Sequence, residues 1–205
     1  MMNHHRHITT PPIKGLVLIG GKSARMGTDK SELNYHGKPQ KEFLRDVLVK
    51  QGMDTFYSVR NGSDVTSSTV EKSQTSQNIP DTIFNLGPFG GIYSAFQKDP
   101  NAAWFVLATD LPFVNETLVK LLLEKRNPAK VATTVKGKGK SFPEPLIAIY
   151  EPKAYPIFEQ FLSEGNISPK ALLINSDVEI IEVEDQLIRN VNTSEEYKAA
   201  KKELA

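Results

Sequence analysis

The 205-residue sequence contains no cysteine, which excludes disulfides, thiolate metal sites and cysteine nucleophiles and fits a reducing, cytoplasmic setting. Net charge is nearly absent as well: 25 Lys and Arg stand against 24 Asp and Glu, giving +1 at pH 7. Such a balance offers neither a positive field for a polyanion nor an acidic tail for a basic partner, so nucleic acid and membrane surfaces are not expected partners. Long apolar runs are missing too. Leu16-Val17-Leu18-Ile19, the longest near the N-terminus, is too short to span a bilayer or to serve as the core of a signal peptide. Histidine is scarce: His4, His5 and His7 sit in the opening segment and only His36 lies beyond it. That segment, residues 1–12, reads as a disordered, solvated leader with no fourth ligand for a metal clip, and residues 13–205 as one domain. A chain of this length buries roughly 70% of its unfolded surface without staples.

What is present alternates in period. Leu16–Ile19 is a continuous apolar run that ends in glycines, as suits a strand buried on both faces of a parallel sheet. Pro39 opens a helix with Phe43, Leu44, Val47 and Leu48 at helical spacing, closed by Gly52. Strands are predicted over 55–59, 79–84, 104–108, 129–135, 146–150 and 178–183, and helices over 90–97, from Asn115 as cap, over 154–162 and 169–173, and after the capping box Thr193-Ser194-Glu195-Glu196. The polar stretch 62–77 reads as a surface loop with a weak helix, and Lys136-Gly137-Lys138-Gly139-Lys140 as an exposed, solvated hairpin. Strands alternating with helices imply an α/β, single-domain, mostly parallel doubly wound sheet, Rossmann-like, which binds ligands beyond the carboxyl ends of its strands where the order reverses.

The most informative loop follows the first strand: Gly20-Gly21-Lys22-Ser23-Ala24-Arg25-Met26-Gly27-Thr28-Asp29-Lys30. Glycines there let backbone N–H groups wrap phosphate oxygens, and Arg25 and Lys30 can neutralise a triphosphate. It is not a Walker A loop, because Leu16 occupies the position of the first required glycine. Nor is it a dinucleotide fingerprint, because Lys22 and Arg25 stand where the later glycines belong. On residues alone a plain strand-to-helix turn remains open.

The stretch Leu18–Lys30 closely resembles the signature of nucleotidyltransferases with a glycosyltransferase-A-like Rossmann fold, and among them it is most similar to the molybdenum cofactor guanylyltransferases. Four further segments match in order: Pro80-Asp81, Gly87-Pro88-Phe89-Gly90-Gly91, Leu107-Ala108-Thr109-Asp110-Leu111-Pro112-Phe113, and Asn190-Val191-Asn192-Thr193-Ser194-Glu195-Glu196. The resemblance implies that the backbone of Leu18, Ile19, Gly20 and Gly21 contacts the nucleotide, that Lys30 reaches its phosphates with Arg25 beside it, and that Asp81 helps hold the nucleoside. It implies further that Asp110 binds Mg²⁺ and that Asn190 and Asn192 contribute to metal or substrate binding; separately, the backbone N–H groups of a helix start at Gly87 and Gly90 suit a phosphate or a pterin edge. The implied reaction is Mg²⁺-dependent transfer of GMP from GTP to the phosphate of molybdopterin or molybdenum-molybdopterin, with pyrophosphate leaving. Client molybdoenzymes or their chaperones are the implied recipients. Ile19 departs from the alanine usual at its position, and the segment 57–61 has no secure counterpart.

Each candidate also has a plain structural reading. Asp110 could cap the turn before Pro112, Asp81 could be a turn aspartate after Pro80, Gly87–Gly91 could simply start a helix, and the two asparagines precede a good N-cap. His36 reads as surface or structural, since an anionic phosphate nucleophile demands no general base. Trp104, Phe105, Phe158 and Phe161 read as core. The hairpin lysines could steer an anionic acceptor. Two rival functions stand beside guanylyl transfer: cytidylyl or other nucleotidyl transfer to a related acceptor, which Gly21 disfavours, and a non-catalytic nucleotide-binding delivery module, which Asp110 and Lys30 disfavour.

Overall fold

A computed structural model describes residues 10–19, 30–59 and 77–204. Among these residues seven strands are formed: β1 (Ile13–Leu18), β2 (Thr55–Val59), β3 (Asn78–Pro80), β4 (Ala103–Ala108), β5 (Ala132–Gly137), β6 (Glu144–Tyr150) and β7 (Val178–Val183). Six helices accompany them: α1 (Gln40–Val49), α2 (Pro88–Lys98), α3 (Glu116–Glu124), α4 (Ala154–Ser163), α5 (Pro169–Ile174) and α6 (Ser194–Leu204). The strands make one sheet in the order β3-β2-β1-β4-β6-β5-β7. Every neighbouring pair is parallel except the two that involve β6. The fold is therefore the single-domain, mostly parallel α/β sheet that the alternation of periods implies.

Local chemistry sets the element ends. Pro39 precedes α1, and Gly52 after it takes φ +80°, which turns the chain into β2. Asn115 caps α3 through a hydrogen bond from Leu118 N–H to its Oδ1 (2.9 Å). Ser168 does the same for α5, accepting from Ala171 N–H. The capping box at α6 is reciprocal: Glu196 N–H donates to Thr193 Oγ1 at 3.1 Å and Thr193 N–H to Glu196 Oε2 at 3.0 Å.

All six residues of β4 are buried, as a strand covered on both faces requires. Helices α1 and α3 pack together, and α2 packs against α4. The buried Glu151 is matched by Arg126 through two short contacts of 2.7 and 2.8 Å, and the Arg126 guanidinium also donates to Pro11 O. Pro12 O accepts from Ala103 N–H, so these last two residues of the expected leader are tied to the domain. Among the described residues no helix is long and apolar enough to cross a membrane.

Two expectations shift. The predicted strand over 79–84 ends at Pro80, because Asn85 adopts φ +63° and Gly87 φ +55° to turn the chain into α2; Phe84, read as part of that strand, is exposed. The basic hairpin is shorter than expected, since Lys136 and Gly137 finish β5. Its charge is also largely matched, with Lys136 paired to Glu182 and Lys138 to Glu184, both at the β7 edge. The polar stretch 62–77 lies almost wholly outside the described residues.

Candidate active site

The sheet order places the switch point. From β1 the chain steps to β2 and β3 on one side and then returns to β4 on the other. The order thus reverses between β1 and β4, which pair in parallel from Ile13 with Ala103 to Leu18 with Ala108. In sheets of this kind the ligand crevice lies beyond the carboxyl ends of the strands at such a reversal. The glycine loop leaves β1 there, and Asp110 follows β4 by two residues. Gly20, Gly21 and Arg25 lie outside the described residues; the loop's two ends, Leu18–Ile19 and Lys30, are described.

Lys30 spans the crevice. Its ammonium donates to Asn192 Oδ1 at 2.6 Å and to Val191 O at 3.0 Å. Val191 N–H in turn donates to Asp110 O at 2.8 Å, and Asn190 Nδ2 donates to Asp110 Oδ2 at 3.1 Å. Four of the residues singled out in the sequence, Lys30, Asp110, Asn190 and Asn192, are thereby joined in one hydrogen-bonded cluster. The other carboxylate oxygen, Asp110 Oδ1, is buried and has no hydrogen-bond partner among the described residues. A buried, unpartnered carboxylate oxygen is costly unless a cation or donor meets it. An oxygen donor of this kind suits a hard cation that keeps water and phosphate oxygens as its remaining ligands, whereas no cluster of three or more acidic or histidine ligands exists among the described residues.

A small second core explains why these distant segments meet. Leu33, Tyr35, Phe113, Val191 and Ala200 bury one another, with Tyr197 and Leu204 packed around them. Tyr35 and Tyr197 meet edge to face at 5.0 Å. Burial pushes the Tyr35 hydroxyl well above its ordinary range, and the charges of Tyr197, Asp110 and Glu196 push the same way. This cluster pins the segment after the glycine loop, the segment after Asp110 and the start of α6 to one another. Tyr197, Ala200 and Leu204 fall at helical spacing on α6, but Leu33, Tyr35, Phe113 and Val191 lie outside the regular strands and α-helices, which is why a reading of the sequence passes over the cluster.

Asp81 stands apart from this cluster. It directly follows β3, and β2 and β1 lie between that strand and β4, so three strand spacings put it on the order of 14 Å from Asp110. Its Oδ1 accepts from Ser58 Oγ at 2.9 Å. The two aspartates therefore flank the mouth of the glycine loop from opposite sides. Gly91 has a packing reason: a Cβ there would lie 2.4 Å from Ser58 Oγ and 2.8 Å from Leu18 Cδ2, so α2 can settle onto β1 and β2 only without a side chain. Gly90 faces Leu86 and the Asp81 carboxylate, and Gly87 provides the turn into α2. His36 stacks on Phe43 at 3.7 Å and its Nε2–H donates to Pro112 O at 2.9 Å. Burial lowers its pKa despite that hydrogen bond. It buttresses the segment after Asp110 and does not face the crevice cluster through any hydrogen bond among the described residues.

Glu144 is a candidate that the motifs and periodicities of the sequence pass over. It opens β6, which runs antiparallel to β4, so its end of β6 lies beside the carboxyl end of β4. Pairing of β6 with β5 jumps there, from Thr134 with Ala148 to Val135 with Glu144. Burial raises the Glu144 carboxyl above its ordinary range; the Leu146 N–H opposes this, Asp110 adds to it and Lys170 opposes it. It lines a cleft of about 1040 Å³ that reaches Asn190. A carboxylate between two prolines, Pro143 and Pro145, is the one hint that the sequence carried.

Known proteins resemble this chain over most of its length. A family model described as a MobA-like NTP transferase domain matches residues 15–178. The chain is 34% identical over 191 residues to the molybdenum cofactor biosynthesis bifunctional protein of Synechocystis sp., covering 93% of this chain and 54% of that one, so it spans about half of that relative's length. It is 25% identical over 183 residues to a probable molybdenum cofactor guanylyltransferase of Flavobacterium johnsoniae, covering 88% of this chain and 92% of the relative. A crystal structure of molybdopterin-guanine dinucleotide biosynthesis protein A from Archaeoglobus fulgidus is similar with a TM-score of 0.69 at 25% identity, covering 92% of this chain and 97% of that one.

Proposed function

The chain belongs to the MobA-like NTP transferase family and is a nucleotidyltransferase, and on that premise we propose that it transfers GMP from GTP to the terminal phosphate of molybdopterin, with or without molybdenum, releasing pyrophosphate. The names of the relatives support the guanylyl reading and the acceptor. The observation that carries it is the convergence of Lys30, Asp110 and the two asparagines at the switch point, with one buried carboxylate oxygen left over.

In this reaction an acceptor phosphate oxygen forms a bond to the α-phosphorus of GTP while the bond from that phosphorus to the bridging oxygen breaks. The nucleophile is already anionic, so no side chain has to remove a proton. Asp110 Oδ1 would hold Mg²⁺, which supplies charge neutralisation at the triphosphate when bound. Lys30 keeps its contacts with Asn192 and Val191, turns its third N–H to a phosphate oxygen and stabilises charge on the leaving pyrophosphate. Asn190 keeps the Asp110 carboxylate aimed by donating to Oδ2. Arg25 and the backbone of Leu18, Ile19, Gly20 and Gly21 would hold the nucleotide from the β1 side, with Asp81 toward the nucleoside and Gly87 and Gly90 allowing close approach.

Purified protein incubated with Mg²⁺, molybdopterin and each nucleoside triphosphate tests the proposal. Pyrophosphate release with GTP alone, lost in Asp110→Ala, is the expected result. Release with CTP instead moves the activity to cytidylyl transfer, and tight nucleotide binding without release overturns catalysis.

A further inference from the structure

The cleft beside the crevice holds charges that the proposed transfer does not account for. Among its lining residues, Glu203 is taken by Arg189 through contacts of 2.8 and 2.9 Å, and Asp185 accepts the Gly139 N–H at 3.0 Å. Lys140, Lys170 and Glu144 line the same cleft and form no ion pair among the described residues. The Lys170 ammonium sits 4.1 Å over the ring of Phe142, which is half exposed at the cleft. The wall is therefore one aromatic face, two cations and one carboxylate.

Glu144 is held with care. Its carbonyl accepts Thr134 Oγ1 at 2.7 Å, its Oε1 accepts the Leu146 N–H at 3.0 Å, and the neighbouring Pro145 carbonyl is fixed by the Tyr150 hydroxyl at 2.9 Å. These bonds sit where the β5–β6 register jumps, an irregularity of the kind that re-aims a side chain beside a site. Prolines on both sides restrict the backbone further. Among the described residues Oε2 has no hydrogen-bond partner, and the half-buried carboxylate faces a cleft that ends at Asn190, the partner of Asp110.

We propose that Glu144 is the specificity-determining residue for the acceptor, accepting hydrogen bonds from the N3–H and 2-amino group of a 2-amino-4-oxopteridine ring, while Phe142 stacks on the ring and Lys140 and Lys170 attract its phosphorylated side chain. This deepens the acceptor assignment above and rests on it. The chemistry follows from the donor and acceptor inventory: a carboxylate only accepts, and the N3–H and 2-amino edge of a pterin only donates. Two parallel bonds to an ionised acceptor give both strength and orientation. A ring bearing a 2-oxo group in place of the 2-amino group would set an oxygen against the carboxylate and leave it unpaired, and sites of this kind reject such analogues strongly.

Fluorescence titration of the intact protein with neopterin monophosphate and with its 2-oxo (lumazine) counterpart tests this without nucleotide or turnover, so its outcome is separable from that of guanylyl transfer. The wild-type chain should bind the pterin at least about tenfold more tightly than the lumazine, and Glu144→Gln should erase that preference, because its amide can donate to the 2-oxo group. Circular dichroism and the GTP affinity of Glu144→Gln should match those of the wild type. Equal binding of the two rings by the wild type, an undiminished preference in Glu144→Gln, or no pterin binding up to the solubility limit would each overturn the proposal. So would a Glu144→Gln variant whose defect is confined to its Mg²⁺ requirement, which would place the carboxylate with the metal instead.

Discussion

Lys30 and Asn192, 162 positions apart in the chain, are joined by a 2.6 Å hydrogen bond from the Lys30 ammonium to the Asn192 side-chain oxygen. That bond closes the far end of the glycine loop onto the segment that also holds Asp110. Lysine is thus pre-positioned over the crevice before any phosphate arrives, with its desolvation already offset by two oxygens. Preorganised charge of this kind contributes to rate because it need not be rearranged as the leaving group departs.

Removing the ammonium should show in turnover. Lys30→Met is expected to lower kcat/KM for nucleotidyl transfer by about 10²- to 10³-fold. Lys30→Arg should recover only part, since a planar fork cannot replace a compact ammonium that serves Asn192 and Val191 together. Steady-state kinetics with GTP as the varied substrate reads both effects; a change below twofold in Lys30→Met would contradict the role.

Glu196 acts on the site at one remove. Its Oε2 accepts from the N–H of Asn192 at 2.6 Å and of Thr193 at 3.0 Å, so the α6 capping box also fixes the backbone of the residue that holds Lys30. Glu196→Ala should cost about 1 kcal/mol in stability, as loss of a cap does, and should lower kcat as well. Glu196→Gln, which keeps an accepting oxygen, should restore most of both. Urea denaturation and kcat measured on the same preparations check the pairing; a stability loss with unchanged kcat would make α6 purely structural.

At Gly91 the expectation concerns packing. A methyl group there meets Ser58 and Leu18 at distances that real Cβ atoms do not adopt, so Gly91→Ala should destabilise the fold by about 1–3 kcal/mol. Adding Ser58→Gly should recover part of the loss by clearing the side chain that it meets. Thermal unfolding of the single and double variants decides this.

The architecture was largely legible in the sequence because buried parallel strands and amphipathic helices leave period signals, and because Asn115, Thr193 and Glu196 cap helices by local rules. The polypeptide reversal between β1 and β4 could be anticipated only as a class of site, since strand order is a long-range property. A strand read over 79–84 overextends β3 because Ile83 and Phe84 are apolar yet sit in a turn imposed by Asn85 and Gly87. Lys30, Asp110 and the asparagines were found by their resemblance to a family signature. Tyr35, Phe113 and Val191, which bring them together, were not, because the three sit in separate loops that carry no period, and only their α6 partners Tyr197, Ala200 and Leu204 do. Glu144 was missed for the same reason: its placement depends on a register jump between strands.

His36 gives a pH expectation. Burial lowers its folded pKa below the ordinary 6.5, so the unfolded chain takes up the proton first. The contribution is fully present above pH 6.5 and is lost as pH falls from there through the folded value. His36→Phe, which keeps a ring against Phe43, should flatten the stability profile in that window. Chemical denaturation at a series of pH values between about 5 and 7.5 measures the slope; identical slopes in both proteins would contradict the assignment.

The central claim is that Asp110 Oδ1 is the cation anchor of the crevice, and the most direct measurement is Mn²⁺ binding followed by electron paramagnetic resonance in the presence of GTP. The wild-type protein should bind the ion with nucleotide, and Asp110→Asn, which keeps the shape and an oxygen for Asn190, should bind it weaker by about tenfold or more, equivalent to about 1.4 kcal/mol. Equal Mn²⁺ affinity in the two proteins, with the fold of the variant intact, would contradict the claim.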